Sequence, residues 1–167
     1  METEDEIYFY TLKNKFSFMS NFYKTKFKDN NKIEYNSSEQ YFMYHKCITF
    51  DSKNQILLNK ILQETSGIRI KKYGRLVQNY NDDIWKEKRY NVMLDGLRLK
   101  FNQNEIIKQQ LLDTKNKTLY EASKNDKIWG IGFYAKDATD KNKFGQNLLG
   151  NALMQIRNEI DKKDNNN

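Results

Sequence analysis

Residues 23–28 alternate strictly, with Tyr23 and Phe27 on one face and Lys24, Lys26 and Lys28 on the other. A period of two predicts a strand with one buried side. Asp29-Asn30-Asn31 reads as a turn, and Lys32 to Tyr35 as the returning strand. Beyond Tyr35 the spacing becomes helical. Ser37 is placed to cap a helix, with Gln40 three residues on completing a capping box, and that helix should run to about Ile48. Asp51 to Leu62 predicts a second helix, with Ile56, Leu57, Ile61 and Leu62 on its apolar stripe. Ser66 opens a third, which Gly74 ends. Asp82 caps a long fourth helix carrying Trp85, Arg89, Val92, Met93, Gly96, Leu97, Lys100 and Phe101. Asn104 to Leu112 is a fifth, Thr118–Glu121 and Trp129–Phe133 read as short strands, and Gln146 to Ile160 is a final amphipathic helix. The pattern predicts a mainly α, single multihelical domain over residues 7–160, with a few short strands near the N-terminus and before the last helix. Residues 1–6 and 161–167 read as flexible tails.

Composition narrows the chemistry. Aromatic residues make up 14% of the 167, so Tyr, Phe and Trp must supply much of the core. No apolar run approaches the ~20 residues of a membrane span, and the first six residues are acidic, unlike a secretory leader. The expectation is a soluble cytoplasmic protein with no membrane partner. Cys47 is the only cysteine and His45 the only histidine. A disulfide, a thiolate metal cage, a His-based zinc site and a Ser-His-Asp triad are thereby disfavoured. No metal and no cofactor is expected, and hydrolysis would have to use Glu, Asp, Lys, Tyr or water. The net charge of +7 fits an anionic partner, a phosphate-bearing ligand or nucleic acid. It fits a plain basic surface equally well, since the cations are interleaved with acids.

The densest candidate site is the first helix. Glu39 and Lys46 are seven residues apart, so both face the same way, with Phe42 and Met43 between them. A carboxylate and an amine on an apolar stripe are costly unless paired or used, and a desolvated lysine becomes a nucleophile. The same two residues also suit the helix macrodipole. In the segment 121–132, Asp126 precedes Trp129, Gly130 and Gly132, where a flat ring and close backbone could meet a ligand or simply form a core anchor and a turn. Phe18, Ser20 and Asn21 set small polar groups among aromatics before a strand. Arg69, Lys71, Lys72 and Arg75 surround Gly74, as a phosphate grip or as a solvated face. Gly145 to Gly150 opens the last helix, either as an anion site or as a plain helix start.

Taken in order, these segments resemble the NADAR (YbiA-like) family. The matching pieces are Phe18-x-Ser20-Asn21-Phe22, Tyr35-x-Ser37-x-Glu39-Gln40-Tyr41-Phe42-Met43-Tyr44-x-Lys46, and Gly74-Arg75. Trp85, Arg89, Met93 and Lys100-Phe101 follow, then Glu121-Ala122-Ser123, Asp126-x-x-Trp129-Gly130-Ile131-Gly132 and Gly145-x-Asn147-Leu148-Leu149-Gly150-x-x-Leu153-Met154-x-x-Arg157. The resemblance implies a YbiA-like domain that acts as an N-glycosidase on a phosphorylated riboside. The substrate branches it implies are ADP-ribose on guanine in DNA or RNA, and ribosylamino-pyrimidine phosphates of the riboflavin pathway. It implies Lys46 as the amine forming a Schiff base with the opened sugar, Glu39 as acid and base, and Asp126 as a charge-stabilising or orienting group. Phe18, Ser20, Asn21, Tyr35, Tyr41, Tyr44, Arg75, Trp129, Gly130 and Asn147 would contact substrate. One departure is Phe144, where the family often carries Trp. The alternatives are a non-catalytic ADP-ribose or nucleotide-binding module, and a sequence-independent nucleic-acid binder using Lys24, Lys26 and Lys28.

Overall fold

The computed structural model describes residues 1–10 and 12–164. In chain order the elements are β1 (Glu6–Phe9), β2 (Phe27–Lys28), β3 (Glu34–Tyr35), α1 (Ser38–Phe50), α2 (Gln55–Gln63), α3 (Gly67–Tyr73), α4 (Asp82–Asn102), α5 (Glu105–Leu112), β4 (Thr118–Glu121) and α6 (Leu148–Asp164). The mainly helical class expected from the pattern is what is found. The contacts gather into two units, residues 21–104 and residues 1–20 with 105–167.

In residues 21–104, α1 packs against α2, α3 and α4. Its start is set as the sequence predicts, with Ser37 Oγ accepting from the Gln40 N–H at 3.2 Å. The reciprocal half of the box shifts by one residue, because Gln40 Oε1 accepts from the N–H of Asn36 at 2.7 Å. The Gln40 amide then donates to the carbonyls of Ile61, Leu62 and Glu64 at 2.8, 3.0 and 3.0 Å. A fully buried glutamine thus satisfies the open C-terminal carbonyls of α2. Two helices start a little later or earlier than expected. Asn54, not Asp51, caps α2, and Asn81, not Asp82, caps α4. The predicted hairpin is present but reduced to the antiparallel pairs Phe27↔Tyr35 and Lys28↔Glu34. Phe27, Tyr35 and Tyr41 form the core beside it, with Ile33, Tyr44, Leu62, Val92 and Leu99 packed around them. Gly96 lets α4 approach α1 here, since a Cβ would lie 2.5 Å from Cδ1 of Tyr41.

The other unit is organised by an element the alternation did not reveal. β1 runs parallel to β4, with Glu6↔Thr118 through Phe9↔Glu121 in register. Residues 1–6, read as a flexible tail, fold back instead. The Met1 ammonium donates to the Tyr8 carbonyl at 2.9 Å, Thr3 N–H to the Glu6 carbonyl at 2.8 Å, and Glu2 pairs with Lys15 and Lys117. At the other end α6 continues through Asp161–Asp164, and Asn165–Asn167 lie outside the described residues.

The predicted strand Trp129–Phe133 is not formed. Its carbonyls go elsewhere: Ile128, Trp129, Gly130 and Ile131 accept from the N–H groups of Leu148, Leu149, Asn147 and Gly145. Gly132 at φ 78° turns the chain out of any extended path. The same bonds fill the N–H groups leading into α6, so the anion-site reading of Gly145–Gly150 does not hold. Asn147 sits in the left-handed region at φ 51°. Its side chain accepts from the Glu121 N–H at 3.0 Å and donates to the Leu119 carbonyl at 2.8 Å, tying the start of α6 to β4.

Two substitutions test this packing. Gly96→Ala should lower stability by about 1–2 kcal/mol, overpacking at Tyr41 outweighing the better helix propensity of alanine. A urea midpoint at or above that of the parent chain would contradict it. Asn147→Ala removes both of these hydrogen bonds and leaves alanine at positive φ, a loss of about 2–4 kcal/mol readable by thermal unfolding.

Candidate active site

The face of α1 bearing Glu39 and Lys46 is built from within residues 21–104. Glu39 lies in the first turn and is only 6% exposed. Its N–H donates to the Asn21 carbonyl at 3.0 Å, which brings Asn21 to the helix start as expected. The Asn21 Oδ1 is buried with no hydrogen-bond partner among the described residues, an acceptor that a ligand hydroxyl could satisfy. Lys46 lies two turns further, roughly 10 Å along the axis. Phe42 occupies the middle of the face and packs on Trp85, ring centroids 5.0 Å apart.

Lys46 is half-buried. Its Nζ donates to the Gly74 carbonyl at 2.9 Å and lies 4.3 Å from the centre of the Tyr80 ring. It makes no ion pair among the described residues. Burial pushes its pKa down, the nearby Arg75 charge pushes the same way, and Asp82 opposes both. The site therefore presents a buried carboxylate and an amine biased toward its neutral form on one helix face, the combination that acid–base and nucleophilic chemistry at a sugar carbon requires.

Two aromatic residues expected to touch substrate are buried in the core. Tyr35 is fully buried and its hydroxyl donates to Asp29 Oδ2 at 2.9 Å. Tyr41 is buried against Gly96, Phe27 and Tyr35. Both are core residues, because burial of their rings supplies the apolar contact that aliphatic residues provide elsewhere. Tyr44 is half-buried and meets Tyr35 edge-on at 5.7 Å, on the same aromatic cluster. His45 stacks near Tyr41, centroids 4.1 Å apart, and with Asp29, Asp95 and Arg98 lines a recess of about 400 Å³ that excludes Lys46.

A second amine escaped sequence reasoning. Lys100, on the stripe of α4 that carries Met93, Gly96 and Leu97, is 0% exposed. Its Nζ lies 5.6 Å from the centre of the Tyr23 ring and 5.2 Å from that of Phe101. Burial lowers its pKa to about 7. The signal was present, a lysine at a core position of an apolar stripe, but periodicity alone gives no burial for a long side chain that can snorkel.

The charge is also unevenly placed. Residues 21–104 hold 16 Lys and Arg against 9 Asp and Glu, whereas the rest of the chain holds 13 of each. The whole net charge of +7 belongs to the unit that carries Glu39 and Lys46. Lys71, Lys72 and Arg75 are exposed and make no ion pair among the described residues, while Arg69 is bonded to Glu64. On the hairpin, Lys26 and Lys28 both pair with Glu34, which weakens the proposed lysine face.

The remaining candidates lie in the other unit. Phe18 and Ser20 are buried, and the Ser20 N–H closes a turn on the Ser17 carbonyl. Asp126 Oδ1 accepts from the N–H groups of Ile128 and Trp129 at 2.9 and 2.8 Å, so this carboxylate orders its own loop. Trp129 is half-exposed. Gly130 is required by packing, as a Cβ would lie 2.7 Å from the Glu121 carbonyl oxygen. Asn147 holds β4, as described above. Among the described residues no three His, Cys, Asp or Glu side chains cluster as a metal site would need, and no helix is long and apolar enough to cross a membrane.

The chain is similar to known proteins along nearly its whole length. The NADAR domain model matches residues 8–161. The chain is 45% identical over 129 residues to N-glycosidase R617 of Acanthamoeba polyphaga mimivirus, covering 75% of each chain. It is 29% identical over 154 residues to N-glycosidase YbiA of Escherichia coli, covering 92% of this chain and 88% of that one. It is 31% identical to riboflavin biosynthesis protein VVA0006 of Vibrio vulnificus over 94% of this chain, which spans 39% of that longer protein. The NMR structure of E. coli YbiA superimposes with a TM-score of 0.78 at 25% identity, covering 98% of this chain and 89% of the other. With the family model running over nearly its whole length, the chain belongs to the NADAR family.

Proposed function

We propose that this chain is an N-glycosidase that cleaves the bond between a nitrogen and the anomeric carbon of a phosphorylated riboside. The observation that carries the reading is the presence, on one face of α1, of the buried Glu39 and a half-buried Lys46 that makes no ion pair among the described residues. Relatives named as N-glycosidases support the reaction class. The concentration of positive charge in residues 21–104 favours a phosphate-bearing substrate.

In this mechanism the neutral Lys46 amine bonds to the anomeric carbon. The carbon–nitrogen bond breaks, and its electron pair leaves with the base as Glu39 protonates that nitrogen. The ring C–O bond then opens to a protonated imine, the ring oxygen taking up the amine's displaced proton. Glu39, now a carboxylate, activates water to hydrolyse the imine, releasing the sugar and regenerating Lys46. Asn21 would meet a sugar hydroxyl. The two substrate branches are ADP-ribose carried on guanine in nucleic acid, and a ribosylamino-pyrimidine phosphate. The name of the Vibrio relative favours the second.

A second reading concerns the amine. Lys100 is wholly buried, and burial lowers its pKa to about 7. Incubation with each substrate in the presence of borohydride, followed by peptide mass mapping, separates the two. An adduct on Lys46, abolished in Lys46→Ala, is the expected result. Glu39→Gln should cut turnover by about 10²–10⁴-fold. An adduct on Lys100 would transfer the nucleophile's role. Tight binding of ADP-ribose with no turnover of either substrate would make the chain a nucleotide reader instead.

A further inference from the structure

A neutral primary amine has two N–H bonds and one lone pair, and only the lone pair attacks carbon. The groups that engage the N–H bonds therefore decide where the lone pair points. Two such groups are placed against Nζ of Lys46. The Gly74 carbonyl accepts a hydrogen bond at 2.9 Å, and the centre of the Tyr80 ring lies 4.3 Å away. A ring face at that distance attracts an ammonium and also accepts an N–H from a neutral amine. Both groups are themselves fixed. Gly74 closes α3, its N–H bonding to the Ile70 carbonyl at 3.1 Å. A Cβ there would lie 1.9 Å from Sδ of Met43, one turn before Lys46 on α1, so glycine lets this turn press against the helix. Tyr80 is held at ring and hydroxyl. Its ring meets Phe50 edge-on, centroids 5.3 Å apart, and its hydroxyl donates to Asp82 Oδ1 at 2.8 Å. Phe50 follows Lys46 by one turn of α1, so the helix that carries the amine also places the ring beside it. A tyrosine needed only for packing would be buried like Tyr35 and Tyr41, whereas Tyr80 is 42% exposed.

We infer that Tyr80 is a positioning residue for the Lys46 amine: with the Gly74 carbonyl, its ring engages both N–H groups of the neutral amine and leaves the lone pair as the one unused direction. The catalytic consequence rests on the reading of Lys46 as the reacting amine. In the ammonium form a third N–H takes the place of the lone pair. Carbonyl and ring thus hold the nitrogen in either charge state, and losing a proton makes the amine reactive without moving it. The ring is the part of this arrangement that a side-chain substitution can remove, since the carbonyl belongs to the backbone.

Ribose 5-phosphate is the probe, because its open-chain aldehyde gives the imine that cleavage would leave on the lysine. The lone pair of Nζ bonds to the aldehyde carbon, the oxygen leaves as water with the two amine protons, and cyanoborohydride reduces the C=N bond to a stable amine. The rate of adduct formation on Lys46, read by peptide mass mapping, is compared in the parent chain, Tyr80→Phe and Tyr80→Leu. NMR of the same chains reports that each is folded and whether the ring current of residue 80 shifts the ε-CH₂ protons of Lys46 upfield, the signal being assigned with Lys46→Arg. The phenylalanine variant should keep both the shift and the parent rate. The leucine variant should lose the shift and form the adduct about 10-fold more slowly at saturating sugar phosphate, with the half-saturating concentration unchanged. A parent rate in the leucine variant overturns the inference. So does an equal loss in both variants, which would assign the effect to the hydroxyl and Asp82. A raised half-saturating concentration with the saturated rate unchanged overturns it as well, making Tyr80 a contact to the sugar phosphate. A parent chain that forms no adduct on Lys46 overturns the nucleophile reading itself, and the parent measurement alone tells that failure from the others.

Discussion

The amide of Gln40 is the interaction on which the larger unit depends. One buried side chain joins Asn36 just before α1, the first turn of α1 and the last carbonyls of α2. Leaving any of these groups unpaired would cost about 1–3 kcal/mol each. The helix bearing Glu39 and Lys46 is therefore fixed by a polar anchor at its start, and the apolar residues on its face are free to be few. That matters for the site, because a face that must hold a carboxylate and an amine cannot also be a continuous apolar stripe.

The other constraint is aromatic. Tyr35, Tyr41, Phe27 and Tyr44 fill the space between hairpin and helices with rings, and Phe42, Trp85, Phe50 and Tyr80 do so on the opposite side. The second group leads to the Lys46 amine, since Tyr80 packs edge-on against Phe50 at 5.3 Å and presents its face to Nζ. The geometry of the amine is thus continuous with the packing of the core. Its position does not depend on an ion pair that substrate or salt would have to break.

Much of this was legible in the chain itself. Ser37 and Gln40 announce the start of α1, the seven-residue spacing puts Glu39 and Lys46 on one face of it, and the alternation of residues 23–28 finds the hairpin. What escaped is what local pattern cannot carry. The β1–β4 pair joins segments more than a hundred residues apart, and four residues are too few to show a period. The supposed strand at Trp129 is a row of carbonyls used by the start of α6, a partnership written in neither segment alone. The burial of Tyr35 and Tyr41 is not legible either, because an aromatic residue in a motif looks the same whether it meets a base or a neighbouring ring. The side chains of Asp126 and Asn147 bond to the backbone around them. Both side chains are polar and well placed in the motif, and both are occupied with backbone N–H groups or carbonyls.

The parallel pairing of β1 with β4 has a consequence for the order in which the chain can acquire its structure during synthesis. Residues 21–104 are continuous, and the contacts within that stretch can form once it has left the ribosome. The first strand, although made earliest, has no partner until residues 118–121 emerge. For about a hundred residues of elongation, Ile7, Tyr8 and Phe9 are apolar side chains on an unpaired edge, the kind of segment that finds wrong partners. The acidic residues just before them, Glu2, Glu4, Asp5 and Glu6, place like charges on that edge in every nascent copy, and so discourage two waiting strands from joining each other.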